Sequence, residues 1–88
     1  MAGMIGGNLG EMQQLTSQLN QASDQVRQLQ STVTNGVAGT QWTGPASERF
    51  REAWNGQYKP NLDKLQIALT ELGTEVRKRR EALEAASA

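Results

Sequence analysis

Gly39-Thr40-Gln41-Trp42-Thr43-Gly44-Pro45-Ala46 lies almost midway along a chain of 88 residues. It is the only real break between two long helical patterns, so its reading decides the fold. Gly44 can cap a helix, and Pro45 fits the first helical position, where its missing N–H costs nothing. On the other side, Asn35-Gly36 and Gly39 supply C-terminal stop signals. A tryptophan and a glycine at such a point read as the built turn of a helical hairpin.

Upstream, Met12, Leu15, Leu19, Ala22, Val26, Leu29 and Val33 recur at alternating spacings of three and four. That is the heptad seam of packed, supercoiled helices. The intervening residues are mostly Gln, Ser, Thr and Asn, with Asp24 and Arg27 the only charges after Glu11. An amide-rich face can be solvated or can lie against a neighbour at lower desolvation cost than charges. Asn8 is a good N-cap, with Glu11 three residues later as in a capping box.

Downstream, Phe50, Trp54, Tyr58, Leu62, Leu65, Leu69, Leu72 and Val76 follow at spacings of four, four, four, three, four, three and four. Repeated fours relax a supercoil before the heptad resumes. Pro60 interrupts this helix and would cost about 3 kcal/mol in its interior. Because the apolar phase survives it, one long kinked helix is favoured over a break at Asn55-Gly56 with a fresh start at Pro60. The chain is thus expected to be a single domain over 1–88, with helix 1 over 9–37, a turn over 38–44 and helix 2 over 45–85.

Folding at the glycine-rich tip predicts Leu19 near Leu62, Leu15 near Leu65, Met12 near Leu69 and Ile5 near Val76. Residues after Arg77 would then overhang helix 1 and need another partner. The expected core of hairpin or dimer is Leu15, Leu19, Val26, Leu29, Phe50, Trp54, Leu62, Leu65, Leu69 and Leu72. Helix 2 carries more apolar surface than one seam needs, which implies a second hairpin and an all-α four-helix bundle. Scaffolds this small usually need a staple or a partner.

Composition narrows the chemistry. The chain has no cysteine and no histidine, so disulfides and thiolate metal sites are excluded and the commonest general base is absent. No catalytic residue, metal or cofactor is expected, and the chain does not read as an enzyme. Nine basic and nine acidic residues balance to zero, which argues against nucleic-acid binding by charge. Apolar runs fall short of the ~20 residues of a membrane span, and no membrane contact is expected. The start shows no Sec-type signal peptide.

Two local features have competing readings. Trp42 is either a plug sealing one end of a bundle, the favoured reading, or a recognition surface at its tip. Arg77-Lys78-Arg79-Arg80 is best read as cations complementing a helix C-terminus, with Glu81 and Glu84 close by. Arg79 falls on the apolar seam, which implies that the seam is wet or partner-facing there.

Two antiparallel helices of this length joined by Trp42-Thr43-Gly44-Pro45-Ala46, then Phe50 and Trp54 and leucines at helical spacing, together resemble the WXG family. These are small, early-secreted-antigen-like substrates of type VII (ESX-like) secretion. The match covers nearly the whole chain, and Met4-Ile5-Gly6-Gly7 is similar to openings in the family's actinobacterial branch. The resemblance implies homo- or heterodimeric four-helix bundles, made in the cytoplasm and exported folded without a cleaved signal. It also implies a secretion ATPase that recognises a C-terminal Tyr-x-x-x-Asp/Glu signal, with the Trp-X-Gly turn, here Trp42 and Gly44, acting beside the partner's signal.

This chain departs from that pattern. Its one tyrosine is Tyr58, inside helix 2. Leu83 and Ser87 stand where the tyrosine and the acid are expected. Either a heterodimeric partner carries the signal, or the surface of Val76, Arg79 and Leu83 is a variant of it. The expected function is a secretion substrate or co-substrate that acts through dimerisation and escorts a larger effector. The alternatives are a cytoplasmic helical adaptor without an export role and an exported membrane-active effector.

Overall fold

A computed structural model describes residues 8–87. Helix α1 spans Leu9–Gly39, α2 spans Pro45–Ala53, a π-helical turn spans Trp54–Tyr58 and α3 spans Lys59–Ser87. The hairpin of α1 against α3 is a rod of 64 × 18 × 15 Å. Among the described residues there is no strand.

Local chemistry accounts for each boundary. Asn8 caps α1, its side-chain oxygen accepting the Glu11 N–H at 2.9 Å. The helix runs through Asn35-Gly36 to Gly39. There the Thr40 hydroxyl donates to the Gly36 carbonyl at 2.6 Å, and Arg51 Nη1 donates to the Val37 carbonyl at 3.1 Å. Two end carbonyls thus gain donors without a left-handed glycine cap.

Pro60 does not interrupt the helical ladder. A regular α-helix would drive its ring into the Gly56 carbonyl. Instead the backbone widens just before it, and Lys59 N–H donates to the Trp54 carbonyl, five residues back. The π turn inserts the extra residue that the run of fours in the apolar spacing reflects.

The register differs from the expected one by just over three helical turns, the partner of Leu19 moving from Leu62 to Gly73. Leu19 lies beside Gly73, where an added Cβ would sit 3.7 Å from the Leu19 Cβ, and not beside Leu62. Ser23 pairs with Thr70 at 3.1 Å, and Gln30 with Asp63 at 2.6 Å. Leu15 and Met12 therefore lie toward the end of α3, away from Leu65 and Leu69; the Ile5 pairing falls outside the described residues. The cause is the linker. Thr40 is extended, with ψ 129°, and the chain climbs past the end of α1 before α2 starts. The overhang is consequently α2 at the tip. One heptad before Leu19, Met12 comes level with Arg80, so α1 flanks α3 well beyond Arg77.

The inside of the hairpin is notably polar. Trp54, 7% exposed, is the one buried large apolar side chain among the described residues, beside buried Ser23, Gln30 and Ser47. Gln30 Nε2 donates to the Lys59 carbonyl at 3.0 Å as well as to Asp63 Oδ1. Such pairs fix one register, because any slip strands a buried amide.

Candidate functional site

The tip is built on Gly44. Its φ of 109° and ψ of 174° lie in a region open essentially to glycine, and no other described residue has a positive φ. An added Cβ would meet nothing within 4 Å, so backbone conformation, not crowding, demands glycine there. Pro45 follows as the first residue of α2, and the Gly44 carbonyl accepts the Glu48 N–H at 3.1 Å.

Two residues that hydropathy does not flag hold the linker. Ser47 is 1% exposed and donates its hydroxyl to the Trp42 carbonyl at 2.8 Å. Arg51 donates to that same carbonyl at 3.1 Å, to Ser47 Oγ at 3.0 Å and to the Val37 carbonyl. The end of α1, the linker and α2 are thus tied at one guanidinium. Their sequence signal is slight: a Ser and an Arg four apart, just after the Trp-x-Gly turn.

Trp42 itself is 44% exposed. Its ring packs against Phe50, with ring centroids 5.9 Å apart and an interplanar angle of 49°. Within the single chain, the aromatic that seals the helices is Trp54, whose indole N–H donates to Thr34 Oγ1 at 3.1 Å. Trp42 and Phe50 form an apolar knuckle on the tip.

The expected core residues separate into two groups. Leu19, Val26, Leu62 and Leu69 are half-buried and, with Trp54, lie inside. Leu15, Leu29, Phe50, Leu65 and Leu72 are exposed. The reason is a shift in heptad position. On α3 the stripe facing α1 is Leu62, Gln66, Leu69, Gly73, Val76, Arg80 and Leu83, all at least half-buried. On α1 it is Met12, Thr16, Leu19, Ser23, Val26 and Gln30. Small and polar residues occupy alternate steps of each inner stripe, which leaves one leucine column per helix outside.

In an antiparallel pair, positions three residues after the inner apolar ones turn to the same side on both helices. Leu15, Ala22 and Leu29 therefore share a face with Tyr58, Leu65 and Leu72. Val33 of α1 joins this face to Phe50, Trp54, Tyr58, Leu62 and Leu65 around an open groove of about 550 Å³. The opposite edge is polar near the tip, lined by Arg27, Gln30, Ser31, Thr34, Asn35 and Lys59, while farther along Ile67 is exposed beside Asp63, Gln66, Thr70 and Glu71.

At the tail, Val76 and Leu83 are half-buried. Arg79 does not lie on the inner seam: its side chain is 74% exposed and bonds Glu75 at 3.0 Å. The inner cation is Arg80, 19% exposed and 3.7 Å from Glu84. Arg77 pairs with Glu81 at 3.8 Å, so this basic run is largely neutralised along its own helix.

A WXG hairpin is defined by such a tip between two such helices, and the model of that family, proteins of 100 residues with WXG, matches residues 5–87. The chain belongs to the WXG100 family. The family comprises small type VII secretion substrates, which typically pair with WXG-like partners and are not enzymes. Comparison with curated proteins and with solved structures gave no match. No group of acidic residues that could hold a metal ion occurs among the described residues. No described helix is long and apolar enough to cross a membrane.

Proposed function

We propose that this WXG100 protein is a type VII secretion substrate or co-substrate that works by association. Its apolar face covers a WXG-like partner, itself or a second protein, to give a four-helix bundle that a secretion ATPase accepts. Trp42 and Gly44 form its contribution to the recognised surface. Export proceeds without a cleaved signal, and a larger effector bound to the bundle would travel with it.

The uncovered face carries this reading. Leu15, Leu29, Leu65 and Leu72 are all more than two-fifths exposed, on one side of a hairpin with a single buried large apolar residue among the described residues. Contiguous apolar surface of that kind marks an interaction site. The test is the culture medium: the protein should appear there, and inactivating the ATPase of the secretion machine should abolish this. A protein that stays in the cytoplasm with the machine intact would be an adaptor and not a substrate.

A further inference from the structure

Val76 and Leu83 are turned away from any partner that would read the tail. Both belong to the inner stripe of α3, half-buried against α1, and of the three residues expected to form a tail signal only Arg79 is exposed. A tail that is to be read through its apolar residues must first come away from α1.

The hairpin is fastened unevenly. Ser23 bonds Thr70 and the Gln66 carbonyl, Gln30 bonds Asp63 and the Lys59 carbonyl, and Trp54 bonds Thr34. Among the described residues, these side-chain bonds between the two arms all lie from Thr70 toward the tip. Past Thr70, Gly73 lies buried against Asn20, whose Oδ1 would be 3.2 Å from an added Cβ. A glycine inside a helix is a point of low local stability. Beyond it, the ion pairs Arg79–Glu75, Arg77–Glu81 and Arg80–Glu84 all run along α3 itself. They support the tail as a helix whether or not it touches α1.

What the tail sets against α1 is a charge. Arg80 sits on the inner stripe between Val76 and Leu83, and its Nε is buried without a hydrogen bond among the described residues. The nearest carboxylate oxygen, on Glu84, is 3.7 Å away, beyond bonding distance. The register brings Met12 and Thr16 level with it, and neither supplies Nε with an acceptor; the Thr16 hydroxyl donates to the Met12 carbonyl at 3.0 Å. Met12 also lies in the first turn of α1, the positive end of the helix dipole, which disfavours a cation beside it. Closing the tail therefore desolvates a guanidinium that gains no full partner in return, and opening it returns that group to water.

Resting on the proposed export, we infer that the tail of α3 beyond Gly73 is a strap. In the closed form α1 covers Val76 and Leu83. The buried Arg80 keeps the strap loose, and the open form is the one that the secretion ATPase reads. Once open, Val76, Arg80 and Leu83 form one stripe at spacings of four and three, the pattern of a helix that docks in a groove.

The absence of cysteine lets spin labels be placed on introduced thiols alone. Gln14 and Ala82 are exposed, near the facing ends of α1 and α3. A Gln14→Cys/Ala82→Cys chain, labelled at both thiols and diluted with unlabelled chain, should give two interspin distances by double electron–electron resonance. The short one is the closed strap and the long one the open strap. Adding Arg80→Leu should deplete the open population about tenfold, leave helix content unchanged and lower export in step. Adding Met12→Ser as well strips cover from the strap without altering the tail, and should restore both the long distance and export. A single short distance in the labelled parent chain would overturn the inference. So would an Arg80→Leu chain that is closed yet fully exported, or a Met12→Ser/Arg80→Leu chain that is open yet stays unexported. The proposed function is judged separately: absence of the unaltered chain from the culture medium removes that function, while the distances alone still decide whether the strap opens.

Discussion

Trp54 donates its indole N–H to the Thr34 hydroxyl across the hairpin, 3.1 Å apart. This bond satisfies the polar atom of the largest inner side chain where the π turn presses it against α1. Trp54→Ala should cost about 3–5 kcal/mol, the usual penalty for truncating a buried aromatic. Trp54→Phe keeps most of the volume and should cost about 1–2 kcal/mol, including the stranded Thr34 hydroxyl. Trp42→Ala, at a half-exposed site, should cost less than either. Urea denaturation at fixed protein concentration ranks the three, and a larger loss at Trp42 than at Trp54 would contradict the assignment of the buried plug.

Gly44 is the only described residue with positive φ. Any L-residue there is strained, although the space beside it is empty. Gly44→Ala should lower stability by about 1–3 kcal/mol. The same position made D-alanine by chemical synthesis should cost little, because its mirror-image preference suits φ 109°. Equal melting temperatures for the L and D forms would show that the loss has another cause.

Much of this fold is legible in the sequence, and the limits have physical causes. The two helices, the Asn8 cap and the Gly44-Pro45 start are local signals, each carried by a few adjacent residues. The register was not legible, because it depends on Thr40 leaving α1 extended and on Ser47 and Arg51 holding the Trp42 carbonyl. Nor was the division of the leucines. Hydropathy ranks Leu65 above Gln66 and Leu29 above Gln30, yet Gln30 is buried by its bonds to Lys59 and Asp63. Hydropathy scores residues singly, and cannot see that an amide with both partners met is cheap to bury.

That pairing has its own test. Gln30→Glu places a second carboxylate against Asp63, which lies 2.6 Å from the present amide. The pair would bind a proton more tightly folded than unfolded, because two charges so close cannot both ionise. A raised folded pKa contributes stability that is present at low pH and lost as pH rises through it. The variant should therefore approach the stability of Gln30→Leu near pH 4 and fall below it by about 1–2 kcal/mol near pH 7. A stability difference independent of pH would mean that Asp63 turns away from residue 30.

The Trp42 carbonyl takes donors from both Ser47 and Arg51. Ser47→Ala removes one donor and also the hydroxyl on which Arg51 Nε rests. Arg51→Lys keeps the charge but cannot make three directed bonds at once. Both variants should keep the α1–α3 helices, whose contacts lie elsewhere, while freeing the linker. Amide hydrogen exchange should accelerate at residues 40–44 and stay unchanged near Ser23 and Gln30. Export should fall with linker order if the secretion machine reads a fixed tip. Normal export from a chain with a fast-exchanging linker would show that it reads Trp42 without needing its backbone held.

Leu65 and Leu72 belong to the outer column, so charging them should separate folding from association. Each is about half exposed in the single hairpin, at 46% and 52%. Lysine there keeps its stem on the helix and its ammonium in water, at little cost to the isolated chain. In the bundle the same two ammonium groups would be buried without partners, which is strongly unfavourable. Leu65→Lys/Leu72→Lys should therefore be a helical monomer by circular dichroism and light scattering, and it should be absent from the culture medium. Leu62→Lys/Leu69→Lys, one position set inward, should lose helix content even when dilute. The contrast between the two pairs is the measurement: if both behave alike, the inner and outer stripes are not distinct and the face is not an association surface.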